Sequence, residues 1–289
     1  MVDLVSGDDF FEQDRSWDDR RMTISGIQGT KIPYGPGCQF SWTCDLKPND
    51  SFYDYKLATL LIQSGLVGKV SKVRAWSPKN WGYDGPKPKG SDTIPKDLDW
   101  NLWLGTSPER PFKETYYHPG NWRKLVDYGC GTLGDMGVHI FDTPYNALAL
   151  DVPLTIKNKC RKPNGYGFPE NNKVTYIFPG TEYTTESLTW IWSDGRGAPA
   201  THKDLKLPNK DKLPLQGAMF IGEKGRLLLP HFMERPRHIV NGEYQEIDIK
   251  KYDPNDALDR RSTAAAVVLL SRALNCHSGG IVNMMQNTD

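Results

Sequence analysis

MFIGEKGRLLL (residues 219–229) and RHIVNGEYQEIDI (residues 237–249) carry the reading that decides the fold. In the first, Met219–Ile221 and Arg226–Leu229 flank a tetrapeptide bounded by Gly222 and Gly225. In the second, Arg237–Val240 and Glu243–Ile249 flank Asn241-Gly242. Asn and Gly accept positive φ at both centres of a two-residue turn whose twist matches its strands, so this pair signals a hairpin. Hairpins imply antiparallel pairing. Just upstream, Val174, Tyr176 and Phe178 alternate with polar or smaller residues, as do Leu188, Trp190 and Trp192. Period-two alternation marks half-buried strands.

Working towards the amino terminus, the pattern becomes helical. Phe52, Tyr55, Leu57, Leu60, Leu61 and Ile62 suit one broad helical face over 52–63, with Asp50 or Ser51 as cap and Gly65 as terminator. A strand is predicted over 69–76. Seven Pro and Gly residues between 77 and 97 predict a long surface loop. A short amphipathic helix over 97–104 follows, carrying Trp100 and Trp103, and then an irregular aromatic segment to residue 131. Residues 132–150 form a predicted helix that Pro144 should kink or divide. A further helix is expected over 256–275. Helices, then antiparallel strands, then a helix make an α+β domain: a large, mostly antiparallel open sheet with helices on one face. That domain is assigned to residues 49–255, with 1–48 and 256–289 left as atypical terminal segments.

Bulk properties narrow the function. The 289 residues are 38% hydrophobic and 11% aromatic with a formal net charge of +1. That composition supports a core and gives no basic footprint for nucleic acid. No apolar run approaches the roughly 20 residues of a membrane span. Met1–Ser16 is acidic and polar, unlike a signal peptide, so a cytoplasmic location is expected. Five irregularly spaced cysteines without a C-x-x-C pair read as free thiols.

Two constellations carry chemistry. Asp135, His139 and Asp142 fall on one face of the predicted 132–150 helix, beside the small residues Gly134 and Gly137. A histidine with a carboxylate one turn away has the composition of a general acid/base pair. A capping aspartate with a core histidine has the same spacing, and so has a partial zinc or manganese set, which no second histidine on this helix completes. Tyr116, Tyr117, Asn121, Trp122 and Arg123 suit a polyhydroxylated ligand, with rings covering C–H faces and polar ends bonding hydroxyls. A packed aromatic loop explains them equally. The Gly-x-Gly-x-x-Gly string at 129–134 follows no apolar strand and opens no βαβ unit, so it is not read as a dinucleotide fingerprint.

The blocks LDWNLWLGTSPERP (98–111), YHPGNWR (117–123) and DYGCGTLGDMGVH (127–139) resemble the bacterial Gfo/Idh/MocA oxidoreductases, over about residues 50–253. The resemblance implies a two-domain enzyme in which NAD or NADP sits on a Rossmann domain and a sugar, cyclitol or related polyol on a carboxyl-terminal domain. It implies His139 as acid/base with Asp135 assisting and Trp122 and Arg123 near the nicotinamide; Tyr117, Asn121 and Asp142 are placed towards the substrate from their residue types and spacing. It also implies homo-oligomers built through the sheet face. No Gly-rich strand–helix fingerprint stands ahead of residue 50, and the family's Glu-Lys-Pro segment is missing. The expectation is therefore a substrate domain that needs a separate nucleotide-binding domain. A non-catalytic polyol-binding or assembly module and a metal-dependent lyase or hydrolase are the alternatives.

Overall fold

A computed structural model describes residues 53–162, 164–231, 234–252 and 281–283. The expected helix over 256–275 and the segment 1–48 lie outside these. The described residues fall into two compact units: 91–112, and 53–90 together with those from 113 onward.

The small unit is organised by tryptophan. Helix α2 (Trp100–Leu104) starts at Asp99, whose carboxylate accepts from the Leu102 N–H at 2.9 Å, and Gly105 caps its other end. Trp100 and Trp103 stack with centroids 4.9 Å apart, and Phe112 meets Trp100 edge-on. The Trp100 indole N–H donates to the Arg110 carbonyl at 2.7 Å, so its polar end is satisfied while its ring is buried.

In the larger unit α1 (Tyr53–Gln63) and α3 (Gly131–Ala147) lie against a mixed sheet. Its strands are β1 (Val70–Ser77), β2 (Thr155–Lys159), β3 (Lys173–Pro179), β4 (Thr184–Asp194), β5 (Gly217–Gly222), β6 (Arg226–Pro230), β7 (Arg237–Val240), β8 (Glu243–Gln245) and β9 (Ile281–Asn283). Among the described residues the order is β8-β7-β6-β5-β1-β4-β3-β2-β9. Of these pairs β1 and β4 run parallel and the others antiparallel, so the expected α+β, mostly antiparallel sheet is the fold. Both quoted hairpins form, and Asn241 and Gly242 take φ values of 51° and 85°, as the primed turn requires.

Alternation sorts the side chains. Val73, Ala75, Tyr176, Trp190, Trp192, Ala218, Phe220 and Leu227 face the helices and pack with Leu57, Leu61, Ile140 and Phe141 in one core. Each large apolar side chain buried there contributes about 1.5–3 kcal/mol relative to leaving it in water. The opposite face is covered in part. Trp76, Met219, Leu228 and Ile239 pack beneath Leu205 and Leu207, which come from a segment of two short 3-10 turns. The sequence pattern alone, with helices on one face, leaves that opposite face uncovered.

Pro144 does not divide α3. It sits three residues from the end, where the hydrogen bond it lacks is among the last in the helix. The last hairpin's second strand stops at Gln245, short of the expected 249, and Ile249–Lys251 is a 3-10 turn. Strand β2 is an addition to the expected elements: Thr155-Ile-Lys-Asn-Lys159 has a single apolar residue to mark its inward face.

Candidate functional site

The site is built on the first three turns of α3. Backbone contacts hold the helix start in place. Thr132, fully buried, accepts from the Trp81 N–H at 2.7 Å and donates to the Lys79 carbonyl at 3.3 Å. The loop after β1 is thereby pinned to the helix entrance. Gly131 enters the helix at φ 63°, with the Phe168 ring against the place a Cβ would occupy. The glycines at 129 and 131 thus pack on protein, Gly129 against the Arg123 backbone. A 3-10 turn (Asn121–Lys124), not a β-strand, precedes them, so the string is no dinucleotide cradle.

Asp135, one turn in, is joined to Arg123, whose Nε donates to its carboxylate at 3.0 Å. The guanidinium lies over two indoles, 4.5 Å from the Trp122 ring centroid and 5.4 Å from that of Trp81. Such stacking is worth about 0.5–2 kcal/mol and holds a partly exposed guanidinium in one plane.

The next turn brings His139. Its side chain reaches solvent at one side and is crowded by protein on the other. Crowding lowers its pKa. The Asp135 and Asp142 carboxylates pull back against this, and Lys79 adds to it. The net direction is opposite to that expected from Asp135 alone, because burial outweighs a carboxylate already neutralised by Arg123. His139 is therefore poised as a neutral imidazole, the form that accepts a proton. Asp142 accepts from Asn146 Nδ2 at 3.1 Å.

A second imidazole, absent from the sequence-based candidates, stands beside it. His231 follows β6 and stacks on His139, with centroids 5.8 Å apart and planes at 24°. Its Nδ1 lies 2.6 Å from the Tyr55 hydroxyl of α1. Burial, then the neighbouring His139 and Lys79, lower the His231 pKa to about 4. No sequence signal marks this residue: it is 92 positions from His139 and meets it only through the β5–β6 hairpin. Beside the two rings lies a crevice of about 10 Å³, lined by Tyr55, His139, Thr143, Leu229, Pro230 and His231 and by residues at the start of β5. That is about one water's room.

The remaining expected residues go elsewhere. Tyr117 is buried in an aromatic cluster, edge-on to Tyr116 at 4.7 Å and to Tyr128 at 5.8 Å. Asn121 donates its amide to the Thr115 carbonyl. Neither lines the crevice. Among the described residues no group of three or more His, Cys, Asp or Glu is placed to hold a metal ion.

Residues 55–176, which contain most of α1, all of α3 and the Arg123–Asp135 pair, match the model of the Gfo/Idh/MocA "Oxidoreductase family, C-terminal alpha/beta domain". This segment is similar to that family's carboxyl-terminal domain. None of the curated proteins compared with the chain matched it. Among solved structures, this chain is similar to an oxidoreductase from Thermotoga maritima, at 13% identity and a TM-score of 0.41, over 80% of this chain and 60% of that one. A putative oxidoreductase from Erwinia carotovora atroseptica aligns at 12% identity and a TM-score of 0.42, over 78% and 61%. A second putative oxidoreductase, also from Thermotoga maritima, aligns at 15% and 0.41, over 81% and 61%. The chain thus spans about three fifths of the length of these structures.

Proposed function

We propose that this chain supplies the substrate-binding part of an NAD(P)-dependent oxidoreductase acting on a sugar, cyclitol or related polyol, with His139 as the proton-transfer residue. The observation that carries the reading is a neutral, solvent-reaching imidazole on α3, one turn beyond a carboxylate–guanidinium–indole cluster, inside a segment of the matching family. The described residues offer no Gly-rich strand–helix cradle for a dinucleotide, since the string at 129–134 packs on Phe168 and Arg123. The nucleotide is therefore assigned to a separate domain. The chemistry carried by this chain's own side chains is the movement of a proton.

His139 accepts the proton of the reacting hydroxyl during oxidation and returns it to the carbonyl oxygen during reduction. Asp135 and Asp142 favour the imidazolium, so the charge that develops on the ring is stabilised without being present beforehand. Trp122 and Arg123 are the residues assigned to the nicotinamide side. With the Arg123 head fixed by Asp135, the pair presents a rigid planar face and not a mobile charge. The aromatic cluster around Tyr117 shapes the loop that selects the substrate from behind its surface.

General acid–base groups contribute about 10²–10⁴-fold, so His139→Ala lowers kcat by that order, with substrate affinity changed far less. The assay pairs the chain with NAD or NADP and a nucleotide-binding domain and follows the melting temperature of the same variant. Near-normal turnover in His139→Ala removes the assignment.

A further inference from the structure

Three elements far apart in the chain meet at the two histidines. Tyr55 comes from α1, His139 from α3, and His231 from the segment after β6. The Tyr55 hydroxyl is 2.6 Å from His231 Nδ1 and its ring lies within 10° of parallel to the imidazole. His231 then stacks on His139. This ring contact is one restraint on the rotation of His139.

We propose that His231, held by Tyr55 as the Nε2–H tautomer, is a positioning residue for His139, fixing the orientation of the ring that moves the proton. The inference rests on the reading of His139 as that ring. A phenol is the better proton donor of the two groups, and a short O–H···N contact to Nδ1 leaves the ring proton on Nε2. Held this way, His231 stays uncharged when His139 takes a proton, because burial and the charge on His139 both oppose a second protonation. The pair then carries at most one proton in the neutral range, on the outer ring, where solvent and substrate reach it. A neutral aromatic face beneath an imidazolium also stabilises its charge. Charged groups that act on the two rings include Lys79 from the loop after β1 and Asp135 and Asp142 from α3. Thr143, Leu229 and Pro230 line the rest of the crevice without charge.

The test uses the intact ¹⁵N-labelled chain and reads the histidine ring nitrogens by NMR between pH 4 and 8. His231 is expected to show an unprotonated Nδ1 and a protonated Nε2, and to take up its proton well below His139. In Tyr55→Phe, which keeps the ring and removes only the hydroxyl, His231 becomes a mixture of tautomers and the His139 ring signals shift. In His139→Gln the pKa of His231 rises by about half a unit or more, since the charged neighbour is gone. An Nδ1–H tautomer in the native chain, or a His231 signal unaffected by either substitution, overturns the proposal. A merely structural His231 moves the melting temperature and leaves the His139 ring signals unchanged by Tyr55→Phe. Normal turnover in His139→Ala would remove the proton-transfer reading while leaving these ring signals as described, so the two failures are separable.

Discussion

Burial shifts Asp194 and His231 in opposite senses, and each contributes to the acid response of the larger unit. Asp194 ends β4 on the helix-covered face. It accepts from the Trp192 indole at 2.8 Å and from the Asn172 backbone and side-chain N–H groups at 2.7 and 3.1 Å. Burial still raises its pKa to about 7, against those three donors. Because the folded value exceeds the unfolded one, the folded state holds this proton longer. Its contribution is fully present below about pH 4 and is lost as the pH rises towards 7. His231 does the reverse: its folded pKa of about 4 lies below the unfolded value, so stability is lost as the pH falls from about 6.5 towards 4. Asp194→Asn keeps an acceptor for Trp192 and removes one of the opposed groups. The variant is expected to gain on the native chain as the pH rises from 4 to 7, by on the order of a few kcal/mol. Thermal melts of both chains at pH 4.5 and 7.5 check this; a constant difference between them refutes the buried-proton account.

At the scale of elements, the entrance of α3 carries more structural demand than the turn of the last hairpin. Gly131 needs φ 63°, and a Cβ there would lie 2.9 Å from the Phe168 side chain. Gly242 also has a positive φ, 85°, but nothing lies within 4 Å of a Cβ at that hairpin. The two positions separate backbone strain from packing. Gly242→Ala is expected to cost about 1 kcal/mol from conformation alone. Gly131→Ala adds a steric conflict with a buried ring and is expected to cost about 2–3 kcal/mol. Urea unfolding of both variants measures the gap; equal losses would show that Phe168 yields freely. Gly131 also sets the direction of Asp135 and His139, so its substitution should disturb the Arg123–Asp135 pair as well.

At the scale of the whole molecule, the face of the sheet turned away from the helices is covered unevenly. Leu205 and Leu207 cover the part formed by β5, β6 and β7. Over β2, β3 and β4, Thr155, Thr175, Ile177, Thr189 and Ile191 stay partly exposed. This outer set is less apolar than the inner one, since threonine and lysine share it with the two isoleucines. Self-association through this face is expected, because partly exposed β-branched residues in a row suit sheet-to-sheet packing. Ile191→Lys should then shift the sedimentation profile towards monomer without lowering the melting temperature of the monomer. A native chain that remains monomeric at high concentration rules this surface out.

How far these features are legible beforehand depends on the range of the interaction behind each. Period-two alternation in 173–179 and 184–194, the Asn241-Gly242 turn and the helical spacing of 53–63 are local properties, and each appears where expected. The Asp135–His139 spacing is local too, so the helix face is legible. Strand β2 is not, because lysine and asparagine become strand residues only once β3 offers them a partner. The cover over β5–β7 is not, because Leu205 and Leu207 sit in turns without periodicity. His231 is invisible for the same reason: its identity as a site residue exists only where α1, α3 and the end of β6 converge. Tertiary packing also joined Asp135 to Arg123 and, by burial, lowered the histidine's pKa against the pull of Asp135 and Asp142. Sequence by itself determined the elements with a local periodicity or turn signal and the chemistry available on each, since those follow from neighbours within a few residues. Which groups touch, and which protonation state each then holds, was decided by burial and by contacts between segments distant along the chain.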